Sequence, residues 1–275
     1  DDRSNLTFDV YFGTSSNPTT LVADDTSALS YTPSSLVINR TYYWKVVATD
    51  PTGNKTSSVM NFIYRPVTGL WSFNEGSGTT AYDSSGNGNH GTLKNGPTWV
   101  DGIDGGALDF DGSNDYVELG GSELAITSDI TVSVWVKVDS WSGTADAIVS
   151  RESANRGYVL NIYSGGYFEF AIGDGSGIPS ARSTTIILKD EWYLVTGVWP
   201  DSDDTIRLYE NNQQVATKSQ DGLVSSTHSY LRIGRDTLNG GRYFDGTIDK
   251  VTIWDRALSA AEISDLYDSY SQPTA

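Results

Sequence analysis

Hydrophobic positions along this chain recur mostly with a period of two. Val132, Val134, Val136 and Val138 alternate with Ser133, Trp135 and Lys137. Phe168, Phe170 and Ile172 line one face of a second run, and Ile206 and Leu208 one face of a third. Alternation of this kind predicts strands with one buried and one open face. Gly, Asn, Asp, Ser and Thr break the runs every eight to twelve residues or so, as in an all-β chain. Crossover helices are lacking, so the strands should pair antiparallel. The prediction is an antiparallel β-sandwich, two sheets sharing one core.

The end of the chain adds two features. Thr247 to Trp254 alternates, and Lys250 is the residue most in need of water. Asp249, Val251 and Ile253 are therefore expected on the inward face. A buried carboxylate needs a cation or several hydrogen-bond donors. Next, Ser259-Ala-Ala-Glu262 forms a capping box, with Leu258 and Ile263 placed as a hydrophobic staple. One short C-terminal helix follows.

The first third reads as strands over Leu6–Phe12, Leu29–Thr32, Thr41–Thr49 and Val59–Tyr64. Arg65-Pro66-Val67-Thr68-Gly69 reads as a linker, because Pro cannot donate to a ladder and Gly frees the turn. The expected domains are residues 1–66 and 67–275.

Composition narrows the chemistry. Cysteine is absent, which excludes disulfides, thiol catalysis and Cys-ligated zinc. The net charge of −17 repels nucleic acid and anionic membrane. No apolar run is long enough to span a bilayer, so membrane insertion is not expected. Starting at Asp1 without Met or signal peptide, the chain is expected to be a mature form or a fragment. Of the 35 acidic residues 27 are Asp. Turns use Asp readily, and so does calcium, which takes short carboxylates and carbonyls in loops.

Several segments carry a resemblance. T-Y-Y-W-K-V-V-A-T-D-P-T-G-N-K-T (41–56) resembles strands F and G of a fibronectin type III domain, with Asp50-Pro51-Thr52-Gly53 as the turn. N-L-T-F-D-V-Y-F-G-T-S-S-N-P (5–18) resembles its strand C. The resemblance implies a partial Ig/fibronectin-like β domain whose strands A and B precede Asp1. From Gly69 on, G-L-W-S-F-N-E-G-S-G, Y-D-S-S-G-N-G-N-H-G-T-L and G-G-A-L-D-F-D-G-S-N-D-Y-V-E-L come first. D-I-T-V-S-V-W-V-K-V, E-W-Y-L-V-T-G-V-W, L-R-I-G-R and G-T-I-D-K-V-T-I-W-D-R-A-L-S-A-A-E-I follow. Together they resemble the LamG-like jelly-roll domains, relatives of the concanavalin A-like lectins. This implies a jelly roll with a role in binding glycan.

Two groups of residues are candidates for chemistry. Asp83, Asn87 and Asn89 place side-chain oxygens at alternate positions with glycines between, a spacing that can curl around calcium or simply make a turn. Asp249 is the natural further ligand if the first and last strands of the domain are neighbours. Asp111 stands at the Asp of the family's F-D-G motif and either fixes a turn or completes the site. The second group, Arg151, Asn155, Arg182, Asp236 and Tyr243, could line a ligand surface or be solvated loop residues. More distantly, the domain is similar to pentraxins, whose calcium loops would fall near Asn155 and Asp236. The loops S-A-N-R-G and G-R-D-T-L-N-G lack their run of acidic ligands.

Catalysis has little support. An E-x-D-x-E triplet is missing, and the two histidines, His90 and His228, lie in separate segments. The expected function is a non-catalytic extracellular or cell-surface binding or adhesion module with a calcium ion, its partner a glycan or cell-surface protein. Two alternatives are a structural subunit that exchanges strands through its incomplete first domain, and an accessory domain of a larger secreted carbohydrate-active enzyme.

Overall fold

A computed structural model describes residues 6–271, apart from 34, 35, 37–39, 65, 66, 122, 123, 221, 224–226, 228, 229, 239 and 240. The expected linker residues Arg65 and Pro66, and His228, lie outside the described residues. The chain divides into two compact units, residues 1–66 and 67–275.

The first unit is a single antiparallel sheet of β1 (Thr7–Gly13), β2 (Leu21–Thr26), β3 (Arg40–Asp50), β4 (Gly53–Thr56) and β5 (Met60–Tyr64), ordered β2-β1-β3-β4. β5 pairs with the first half of β3 and β4 with the second. Asp50 makes the β3–β4 turn by accepting the amides of Thr52 (2.7 Å) and Gly53 (3.0 Å). The expected strand at 29–32 is absent; Leu21–Thr26 pairs with β1 instead. Its polar side chains are tolerable because an edge strand needs only one ladder and no buried face. Leu29 and Tyr31 run as coil beside an apolar cavity of about 560 Å³, lined also by Phe8, Val10, Phe12 and Trp44. Among the described residues of this unit, Pro18 and Tyr42 are the buried apolar side chains.

The second unit starts with β6 (Gly69–Trp71), β7 (Thr80–Ala81), β8 (Gly91–Lys94), β9 (Thr98–Asp101), β10 (Gly106–Asp111) and β11 (Tyr116–Gly120). β12 (Ile130–Ser140), β13 (Asp146–Ser153), β14 (Arg156–Tyr163), β15 (Tyr167–Asp174) and β16 (Ser180–Arg182) follow. Then come β17 (Trp192–Trp199), β18 (Thr205–Glu210), β19 (Gln213–Ser219), β20 (Tyr230–Ile233), β21 (Asp245–Trp254) and helix α1 (Ala260–Ser271).

These strands form two antiparallel sheets. The first is ordered β19-β18-β17-β12-β21-β10-β9, with β6 also on β21. The second is ordered β16-β15-β14-β13-β20-β11-β8-β7. Their inner faces share one core, to which Val132, Val134, Val136, Val138, Phe168, Phe170, Ile172, Ile206 and Leu208 all contribute. Each such side chain stabilises the fold by ~1.5–3 kcal/mol. Gly197 lets the sheets meet, because a Cβ there would overlap the ring of Phe170.

The two outer faces differ. Helix α1 covers that of the first sheet, where Ile263 and Leu258 join Val198, Tyr209 and Trp254. Trp135 stacks on Tyr267 at 5.6 Å. The cap forms as its sequence dictates: the Ser259 amide donates to Glu262 Oε2 (2.9 Å), and the Glu262 amide donates to Ser259 Oγ (3.3 Å).

Strand β21 departs from strict alternation. Trp135 pairs with Asp249, but Ser133 pairs with Thr252, so the strand carries a bulge. Lys250, with φ of 50°, is the residue in it. Ile248, Val251 and Ile253 face the core, whereas Asp249 shares the face of Trp135. Lys250 is buried rather than solvated: its Nζ lies 3.4 Å from Asp104 Oδ2 and 5.4 Å from the centre of the Tyr270 ring.

Candidate functional site: an open groove on the second sheet

The outer face of the second sheet holds a cavity of about 260 Å³, near the lower end of small-molecule pockets. Its floor is Ala147, Val159, Ala171 and Ile178. Two of these are alanines on β13 and β15, and their shortness makes the depression.

Charged pairs form the walls. On β15 and β16, Arg182 and Glu169 are cross-strand partners, joined at 2.7 Å between Nη2 and Oε1. The Arg182 guanidinium also lies 3.3 Å from the centre of the Tyr163 ring. Asn161, paired with Glu169 across β14 and β15, is buried, and its Oδ1 accepts no hydrogen bond among the described residues.

The opposite wall is Glu152, Asp236 and Arg242. Thr237 fixes it there: its hydroxyl accepts the Glu152 amide (2.8 Å), and its amide donates to Ser150 Oγ (3.1 Å). This pins the loop after β20 onto β13 and sets Asp236 against Glu152. Asp236 accepts the Leu238 amide (2.7 Å) and Arg242 Nη1 (3.1 Å). Burial, and then the charge and hydrogen bond of Asp236, push the Glu152 carboxyl up to about 8. Glu152 therefore holds its proton at neutral pH, and the two acids share a hydrogen bond instead of repelling.

Of the residues expected to bind calcium, Asp83, Asn87 and Asn89 share one loop, while Asp111 and Asp249 serve two others. Asp83 Oδ1 accepts the amides of Leu70 (3.0 Å) and Ser85 (2.8 Å), and Oδ2 accepts that of Asn89 (2.9 Å). Burial pulls its pKa upward, but hydrogen bonds from Ser85, Leu70 and Asn89 outweigh it, leaving the carboxyl below its ordinary value. The Asn87 and Asn89 side-chain amides donate to the Thr68 carbonyl at 3.0 and 3.1 Å. This loop staples the entry of β6.

Asp249 is buried, as expected, but under a different loop. Its Oδ2 accepts the Ile103 amide (3.1 Å), and its Oδ1 has no hydrogen-bond partner among the described residues. Burial lifts it to about 6 against the opposing pull of Lys250 and the amides of Lys250, Ile103 and Asp104. Asp111 accepts the amides of Ser113 and Asn114 in its own turn. Three carboxylates, each bonded to the amides of a different loop, do not fit one divalent ion. Among the described residues, the acidic trio within mutual reach of an ion is Asp9, Asp24 and Asp25, and Asp24 and Asp25 are exposed.

Of the second group, Arg182 and Asp236 are in the groove walls, and Tyr243 stacks on Arg235 at 5.1 Å nearby. Asn155 is a turn residue with φ of 63°, its side chain donating to the Ser176 carbonyl at 3.2 Å. Arg151 is buried, and its strand partner is the core residue Tyr158. Sequence reasoning missed Glu152, Asn161, Tyr163, Glu169 and Arg242. Glu169 had a signal, since it stands between the inward-facing Phe168 and Phe170.

Residues 111–264 match the family model of the concanavalin A-like lectin/glucanases superfamily, Laminin_G_3. The chain belongs to this superfamily. Solved structures carry the same fold. The binding domain of Paraclostridial Mosquitocidal Protein 1 matches with a TM-score of 0.64 and 20% identity, over 74% of this chain and 52% of that one. Domain 4 of AbnA, a GH43 extracellular arabinanase from Geobacillus stearothermophilus solved with arabinotriose, matches with a TM-score of 0.61 and 18% identity. That match covers 74% of this chain and 98% of the domain. The binding domain of botulinum neurotoxin DC, solved with rat synaptotagmin II, gives 0.61 and 14%, over 75% and 52%. A curated relative, the β subunit of N,N-dimethylformamidase from an Alcaligenes species, is 32% identical over 128 residues. The match covers 44% of this superfamily member but only 16% of that subunit.

Proposed function

We propose that the chain is a non-catalytic binding module that takes a glycan in the groove of the second sheet, outside the cell or on its surface. The observation that carries this is the buried Asn161 Oδ1, left without a partner among charges that are otherwise paired. A sugar hydroxyl donates readily to such an oxygen, and unpartnered buried polar groups are rare unless a ligand or water completes them. The apolar floor suits the C–H face of a sugar ring. The likeness to an arabinanase domain solved with arabinotriose supports a saccharide. The toxin domain solved with synaptotagmin supports a protein partner as the alternative.

Binding fits the acids better than hydrolysis does. Retaining glycosidases set two carboxyl groups ~5–5.5 Å apart and inverting ones further, whereas Glu152 and Asp236 bond directly. Calorimetry against neutral oligosaccharides tests the reading. At least one should bind, and Arg182→Ala, which removes the Glu169 partner and the Tyr163 stack, should weaken it about tenfold or more. A folded protein that binds no saccharide would overturn it. The arabinanase and dimethylformamidase relatives favour a setting as one module of a larger protein.

A second reading rests on the first unit. Its sheet order and Asp50 turn support a partial fibronectin-like domain, and its apolar face carries Met60, Phe62 and Leu29 exposed at 50%, 37% and 92%. Such a face favours self-association. Sedimentation of the full chain over a range of concentrations tests it, with Phe62→Asp expected to abolish any dimer.

A further inference from the structure

We propose that the ligand of the groove is an oligosaccharide bearing a single carboxylate, and that Arg235 receives that group. This rests on the groove reading above and names the class of its ligand.

Four guanidinium groups gather around this face. Three have a carboxylate: Arg182 has Glu169, Arg242 has Asp236, and Arg232 has Glu118 at 3.0 Å. Arg235 has none among the described residues. Its guanidinium lies 4.9 Å from the ring centre of Tyr116 and 5.1 Å from that of Tyr243, and its buried Nε donates to nothing. Two rings thus hold a cation in place and desolvate it without neutralising it.

The backbone builds this placement. Arg235 and Tyr243 form an isolated bridge, and the Phe244 amide donates to the Gly234 carbonyl at 3.0 Å. Gly234, with φ of 81°, is needed because a Cβ would overlap Phe110. One residue further along each side of the same hairpin come Asp236 and Arg242, the groove wall. Arg232 spans the two places: it lies 5.1 Å from the Tyr116 ring centre, and its Nη1 reaches the Asp236 carbonyl at 3.5 Å. A chain of sugars seated on the groove floor would therefore extend toward Arg235.

A guanidinium held by its faces presents its edge, and the edge is what a carboxylate meets with two parallel hydrogen bonds. The charge of −17 repels highly charged polymers over a Debye length of ~10 Å. It tolerates one carboxylate at a local cation. The ligand class is then a uronate- or sialate-bearing oligosaccharide rather than a polyanion.

The test is an array in which acidic oligosaccharides stand beside their neutral parents, such as glucuronoxylotriose beside xylotriose and 3′-sialyllactose beside lactose. The wild-type protein should favour at least one acidic member about tenfold over its parent, a preference that shrinks as sodium chloride rises. Arg235→Gln should bring the ratio close to one while leaving binding of the neutral parent and the melting temperature unchanged. Equal binding of acid and parent by the wild type would overturn the assignment of Arg235 and leave the groove reading standing. Absence of binding to every saccharide would overturn the groove reading, and this inference with it.

Discussion

Glu152 shows how a single residue couples stability to pH. Its ordinary value of 4.5 is raised to about 8 by burial and by Asp236, with Arg242 opposing and Glu169 adding a little. The folded state therefore keeps a proton that the unfolded chain releases, and stability falls as pH rises from ~4.5 to ~8, then levels. Glu152→Gln keeps the shape and the donor but removes the titration. Its melting temperature should change less than that of the wild type over this window, measured by circular dichroism in matched buffers. Little of this was legible beforehand. The alternation that sends Phe168 and Phe170 inward sends Glu169 outward, so that residue could be read. The pairing of Glu152 with Asp236 could not, because it depends on Thr237 bringing together segments far apart in the chain.

At the scale of elements, the sequence was most informative where the chemistry is local. Ser259 and Glu262 make the cap that their spacing requires, and Ser259→Ala should cost ~1 kcal/mol, read as a lower melting temperature. The turn chemistry of Asp83 and Asp111 was equally local, and both acids serve backbone amides. Strand β21 was misread because a bulge cannot be seen in an alternation that continues on either side of it. Asp249 was correctly assigned as buried, but its partner is the 102–104 loop. That loop passes so close that a Cβ on Gly102 would overlap the carboxylate and the Gly106 carbonyl. Gly102→Ala should accordingly destabilise by ~1–3 kcal/mol, whereas Gly120→Ala, where a Cβ meets nothing, should be nearly silent in the same denaturant titration.

For the whole molecule, fold class followed from periodicity because the sheets need one apolar face each and every described ladder is antiparallel. The groove did not, because it depends on which sheet face the helix leaves open, and that is decided by packing across distant segments. The acids expected to share a calcium ion, Asp83, Asp111 and Asp249, instead each accept the backbone amides of a separate loop. Melting of the full chain in millimolar calcium and in chelator should coincide; a rise of several degrees with calcium would show an ion site that these loops form only when loaded.

The groove sits on the side chains that alternate with the core. Ala147, Asn161, Glu169 and Ala171 lie on strands whose neighbouring positions hold the sandwich together. Substitutions there can thus accumulate while the scaffold keeps its stability, and a randomised library confined to these four positions should yield mostly soluble, folded variants.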